Sequence, residues 1–232
     1  LRSHPSIEVI EEKPIVLNLI HSLHELLNGD LEGLKKIRKN EIQKIRKVYF
    51  DSLESEIKNI DNSKIYIDKF PLNIIYVGEI FRIFPKAKFI ISLRHPCDCV
   101  LSCFMQTFKI NNAMANFLNL EDSAKLYDLV MRLWIQYTSI FPINYYEVRY
   151  ENLVENLETT VKPLLKFLEL PWHDSVLEFY KTAKKGPQIK TPSYDQVIKP
   201  IYSEASGRWK MYKKQTTNIY PILEPWIKKF NY

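Results

Sequence analysis

The chain has 232 residues, and its 33 lysines and arginines exceed its 27 acidic residues by six. With 46% apolar and 26% charged residues it has the make-up of a globular protein, which excludes disordered and collagen-like chains. No apolar run approaches the ~20 residues of a membrane span. Three cysteines are too few, and odd in number, for a disulfide scaffold, which points to a reducing, cytoplasmic setting.

Leu1 to Pro5 reads as the tail of a helix already under way, and the chain looks cut at its front, with no signal peptide in view. Pro14 to Leu27 follows as a helix closed by Asn28-Gly29. Asp30 then offers an N-cap for a long basic helix carrying Lys35, Lys36, Arg38, Lys39, Lys44, Arg46 and Lys47. Ile37, Ile42, Ile45 and Val48 interrupt that charge at helical spacing, as on a solvated amphipathic face. A nucleic-acid stripe would need interleaved aromatics or a reading helix, and neither is evident, so no nucleic-acid partner is expected.

Ile65-Tyr66-Ile67 is a short β-prone run ending at Asp68-Lys69. Pro71 opens a helix with Leu72, Ile75, Tyr76, Ile80 and Ile83 on one face, stopped by Pro85. Lys88 to Leu93 is the best strand, nearly continuous in apolar residues, and it runs into Arg94-His95-Pro96. A helix from about Ser123 to Tyr137 leads to a third strand, Tyr145 to Val148, which ends at Arg149-Tyr150-Glu151. Leu157, Val161, Leu164, Leu165 and Leu168 line a last clear helix despite Pro163. Strands alternating with helices predict an α/β fold, an open parallel sheet flanked by helices, in one domain over 1–232. Ligands of such sheets sit off the carboxyl ends of the strands, and cations there favour an anionic ligand.

The segment from Arg94 to Ser102 is the most informative. Read with Asp98 as N-cap, it puts Ser102 one turn into a helix, where Arg94, Ser102 and the helix dipole converge on one phosphate. Cys97, Cys99 and Cys103 lack the spacing of a zinc site, and no metal is expected. His21 and His24 read as a helix surface feature. The scattered glycines form no phosphate-cradling loop, which disfavours an ATPase or nucleotide kinase.

An apolar strand, then Arg-x-Pro, then a serine eight residues after the arginine resembles the 3′-phosphate signature of sulfotransferases that use 3′-phosphoadenosine 5′-phosphosulfate. Asp68-Lys69-x-Pro71, Phe84-Pro85-x-Ala87-Lys88-Phe89-Ile90 and Arg149-Tyr150-Glu151-Asn152-Leu153 fit the same pattern. Ser193 to Pro200, with Gly207-Arg208-Trp209, resembles the C-terminal stretch of protein-tyrosine sulfotransferases and related bacterial sulfotransferases. The family's Pro-Arg-Ser-Gly-Thr-Thr type loop for the 5′-phosphosulfate is absent. Relative to the family, the resemblance therefore implies a fold lacking its first strand and loop.

By that resemblance Glu12 is the general base, with Glu11 beside it and Ile10 where the family has glycine. Lys69 and Ser193 would neutralise charge on the leaving nucleotide. Arg94, Ser102, Tyr150 and Arg208 would bind the donor, whose product is adenosine 3′,5′-bisphosphate. The implied partner is a hydroxyl-bearing acceptor (tyrosine peptide, carbohydrate or small alcohol), and a homodimer is left open. The competing reading is a non-catalytic sulfotransferase-like binding domain.

Overall fold

A computed structural model describes residues 1–57, 59–185, 201 and 205–232. Residues 1–6 form turns and bends, not the helix tail expected from Leu1 to Pro5. The first regular element is a strand, β1 (Ile7–Glu11). Helices α1 (Ile15–Leu26) and α2 (Lys39–Glu56) separate it from β2 (Ile65–Lys69). A 3₁₀ turn, Pro71–Tyr76, then leads into α3 (Val77–Ile83). The remaining elements include β3 (Lys88–Leu93), α4 (Pro96–Phe104), α5 (Leu120–Ile140), β4 (Asn144–Arg149), α6 (Tyr150–Glu155) and α7 (Leu157–Phe167). Farther along come helices Phe179–Lys185 and Tyr220–Lys229. This is an α/β architecture. Among the described residues the strands hydrogen-bond as two pairs, β1 with β2 and β3 with β4.

The chain divides into two compact units, residues 1–89 with 134–144, and residues 90–133 with 145–232. In the first, β1 and β2 run parallel, with Ile7 opposite Ile65 and Glu11 opposite Lys69. Their connection carries α1 and α2, which pack in a core of Val16, Leu19, Ile20 and Leu23 from α1, Ile37 just ahead of α2, Ile45 from α2 and Ile83 from α3. Positions 16, 19, 20 and 23 share one helical face, which is why α1 folds against its neighbours. Leu23 has no exposed surface, so truncating it to alanine costs about 2–5 kcal/mol.

α1 ends as expected, with Asn28 and Gly29 in the left-handed region (φ 50° and 77°) and the Gly29 N–H on the His24 carbonyl. Asp30, however, caps only a 3₁₀ turn, Leu31–Lys35; α2 begins at Lys39, where the Arg38 backbone N–H and guanidinium both donate to the Glu41 carboxylate. The basic run behaves as a solvated face, with Lys35, Arg38 and Lys47 in short-range pairs with Glu32, Glu41 and Asp51. Arg46 is the exception, since its Nε–H donates to the Ile83 carbonyl at 2.8 Å and ties α2 to α3.

The second unit is centred on Cys97 and Val100 of α4, Ala124 of α5, and Ile219, Leu223 and Ile227 near the C-terminus. Pro163 sits inside α7, yet Val161, Leu164 and Leu165 stay buried, so packing outweighs the lost backbone hydrogen bond. The helix after β3 corrects the reading of its cap. Pro96 takes the first helical position, favoured there because its missing N–H would have no helical acceptor. The cap is His95, whose Nδ1 accepts from the Cys97 N–H at 3.2 Å. Asp98 therefore lies inside the first turn, and Ser102 lies near the helix's far end instead of its positive one.

Candidate active site

In the first unit the parallel register puts the carboxyl ends of β1 and β2 at one edge. There the Lys69 ammonium lies 2.7 Å from Glu11 Oε1 and 3.1 Å from Glu12 Oε1. Side chains alternate along a strand, so neighbouring glutamates would ordinarily point apart. Glu12 escapes this because its backbone is left-handed, φ 55°, while its N–H still bonds the Lys69 carbonyl at 2.8 Å. A non-glycine residue pays about 1 kcal/mol or more for that conformation, and such strain concentrates at functional sites.

The two carboxylates differ in their surroundings. Glu11 is the more enclosed and also holds the Arg2 guanidinium. Burial works to raise its pKa, but the Lys69 hydrogen bond and charge, with Arg2 behind them, hold it below the usual carboxylate range. Glu12 is 38% exposed at its side chain, and among the described residues Lys69 is the cation that meets it. Asp68 accepts a hydrogen bond from Asn73 on one oxygen, while the other is buried without a partner among the described residues. Burial pushes its pKa up to about 6, with the Asn73 bond working the other way.

In the second unit the tip of β3 carries Arg94. Its Nη2 donates to the Ala205 carbonyl at 2.5 Å, and its guanidinium lies 4.9 Å above the Tyr150 ring. The Tyr150 face expected to meet adenine thus carries a cation here. The Arg94 Nε–H is buried and has no acceptor among the described residues. Arg208 is exposed and opens a 3₁₀ turn, Arg208–Tyr212, capped by Gly207 at φ 71°. Ser193 lies outside the described residues.

Around Arg94 are groups that sequence reading did not place. The backbone N–H of His95 donates to Glu151 Oε1 at 2.9 Å, and its ring stacks on Trp209, centroids 4.8 Å apart. Burial lowers the His95 pKa, against the pull of Asp98 and Glu151. Asp98 accepts from the N–H groups of Gly207 and Trp209, 109 and 111 residues away. Contacts of that span leave no local sequence signal. The Cys103 thiol is pulled down by its hydrogen bond with Cys99, with Arg94 assisting against burial. Cys97 is pushed up to about 11, by burial and then by Asp98.

The model of the sulfotransferase family matches residues 1–174. The chain belongs to the sulfotransferase family. An uncharacterized protein of Aquifex aeolicus is 37% identical over 164 residues, 70% of this chain and 21% of that protein. Protein-tyrosine sulfotransferase 1 of Danio rerio is 25% identical over 218 residues, 90% of this chain and 60% of the relative. The Drosophila melanogaster protein-tyrosine sulfotransferase is 25% identical over 215 residues, 90% of this chain and 43% of its own. The chain thus spans less than two thirds of these relatives.

Two solved sulfotransferase domains share the fold. That of the curacin biosynthetic pathway superposes with a TM-score of 0.53 at 18% identity, covering 89% of this chain and 78% of its own. That of the Synechococcus PCC 7002 olefin synthase gives 0.58 at 15% identity, covering 90% and 79%.

Proposed function

We propose that this chain transfers a sulfuryl group from 3′-phosphoadenosine 5′-phosphosulfate to a hydroxyl acceptor. The observation that carries the reading is the Lys69 ammonium bridging Glu11 and Glu12 at the carboxyl ends of two parallel strands. Family membership supplies the reaction class. The similarity to protein-tyrosine sulfotransferases favours a tyrosyl hydroxyl over carbohydrate or a simple alcohol.

The donor, when bound, supplies an activated sulfuryl group and a nucleotide leaving group. Glu12 accepts the proton of the acceptor hydroxyl. It suits the task because its carboxylate is exposed and less encumbered than that of Glu11, which two cations hold. Lys69 offsets negative charge that develops on departure, and Glu11 keeps the ammonium in place. Arg94 recognises a nucleotide phosphate. Its buried Nε–H without an acceptor fits an anionic group, since such a donor is costly to leave unmet. Ser102, Tyr150 and Arg208 are assigned to the nucleotide, and Ser193 to leaving-group charge, on the family pattern. Arg94, Tyr150 and Arg208 belong to the second unit, and Glu12 and Lys69 to the first.

Thermal unfolding tests the nucleotide half. Adenosine 3′,5′-bisphosphate is expected to raise the melting temperature well above the shift given by AMP. Equal shifts refute a 3′-phosphate site. Sulfate transfer to a tyrosine peptide tests the other half. Binding without transfer to any hydroxyl acceptor would leave the chain a binding domain.

A further inference from the structure

Asp98 stands out among the polar groups that the proposed chemistry leaves unused. It is 1% exposed, and each carboxylate oxygen accepts one backbone N–H, from Gly207 and from Trp209, both at 2.7 Å. Burying a carboxylate is expensive unless charge-assisted hydrogen bonds replace the lost water. Here two such bonds do so, and the place of Asp98 in the first turn of α4 adds the favourable end of the helix dipole. The two amides are the free N–H groups at the start of the Arg208–Tyr212 turn, so Asp98 caps that turn from 109 residues away.

The segment that Asp98 holds carries the groups that orient Arg94. Ala205, two residues before Gly207, offers the carbonyl that Arg94 Nη2 meets at 2.5 Å. Trp209 stacks on His95, the residue after Arg94. Arg208 lies between the two pinned amides. Removing the Asp98 charge frees the 205–209 turn, and with it the acceptor that fixes the guanidinium over Tyr150.

We propose that Asp98 is a positioning residue for 3′-phosphate recognition, acting through the Ala205–Trp209 turn on Arg94 and Arg208. The proposal rests on the donor assignment above. It predicts selectivity, because a loosened Arg94 harms binding of adenosine 3′,5′-bisphosphate and spares that of AMP.

Isothermal titration of the parent, Asp98→Asn and Gly207→Ala with both nucleotides tests it. Asparagine keeps the shape and one acceptor but turns an N–H₂ toward the second amide. Alanine at the left-handed Gly207 strains the same turn while leaving the buried carboxylate intact, which keeps the test open should Asp98→Asn fail to fold. The expected result is a tenfold or greater loss of bisphosphate affinity in Asp98→Asn, a smaller loss in Gly207→Ala, and AMP affinity within twofold of the parent. Turnover at saturating donor is expected to stay within threefold. A parent that does not prefer the bisphosphate overturns the donor assignment, and the proposal with it. A parent that prefers it, beside variants that bind it equally well, overturns the proposal alone. So does an equal loss for both nucleotides together with a lower melting temperature, which marks a merely structural role.

Discussion

Glu11 and Glu12 share one lysine, yet neutralising each should produce opposite phenotypes. Glu11→Gln removes a charge that holds Lys69 at 2.7 Å and Arg2 as well, at a side chain only 20% exposed. Charge-assisted bonds contribute about 1.5–3 kcal/mol each when buried. Partial exposure and the acceptor that glutamine retains reduce the net loss to about 1–2 kcal/mol, or roughly 4 °C in melting temperature for a chain of this size. Glu12→Gln breaks a longer contact between groups 39% and 38% exposed, which costs about 0.5 kcal/mol or less.

Turnover should reverse the order. Loss of the base costs about a hundredfold or more in Glu12→Gln, whereas Glu11→Gln, which only loosens Lys69, costs about tenfold or less. The pH dependence gives an internal control. The pKa of Glu11 is held below its usual 4.5 in the folded chain. Its contribution is therefore complete above that value and fades as pH falls through the folded-state value. The melting difference between parent and Glu11→Gln should shrink below about pH 4.5. Melting curves across pH, beside a sulfate-transfer assay, decide the matter. Wild-type turnover in Glu12→Gln, or equal destabilisation by both changes, refutes the division of labour.

Arg94→Ala should weaken adenosine 3′,5′-bisphosphate binding by about 2–4 kcal/mol, measured by titration, because a charge-assisted phosphate contact is lost; unchanged affinity would remove the strand-tip assignment. Asp68→Asn should stabilise the chain by about 1 kcal/mol at pH 7, after allowance for solvent at a partly exposed carboxyl. The folded pKa of about 6 lies above the usual 3.8, so the parent loses stability relative to the variant between those values and the gap is flat above them; a gap independent of pH would refute the burial argument. Gly78→Ala gains about 1 kcal/mol of helix propensity, but its Cβ would sit 2.6 Å from Tyr137 Cε1, a ring anchored by its hydroxyl on the Ile75 carbonyl at 3.0 Å. Overpacking costs about 1–3 kcal/mol, so denaturant melts should show a net loss of about 1 kcal/mol, and a more stable variant would show that the ring yields freely.

The elements with a clear period or a clear stop were legible in the sequence. The run from Lys88 to Leu93 is a strand, and the Asn28-Gly29 end of α1 is where two left-handed residues put it. Local signals mislead where two of them compete. Asp30 and Asp98 both read as caps, but the first serves a 3₁₀ turn, and Pro96 displaces the second into the helix. β1 gives little signal because Ile7-Glu8-Val9-Ile10-Glu11 has two adjacent apolar residues, which blurs a period of two, and because it is only 5 residues long. Lys69 and the glutamates were found by family pattern, but their meeting depends on parallel register and on one left-handed residue. The Asp98 anchor, whose partners lie more than a hundred residues on, could not be read locally at all.

The β1–β2 pairing also bears on how the chain holds together. Helices α1 and α2 meet across a short connection, whereas Ile7 finds Ile65 only after everything between them has been drawn together. Closing the longer loop costs more chain entropy, and the ladder that rewards it is only 5 residues per strand. Such a zipper is expected to open at lower free energy than the α1–α2 core. Under mild heat or denaturant the glutamate–lysine trio should come apart while the helices persist. The chain would then lose its chemistry before its shape, and helical content alone would overstate how much working protein remains.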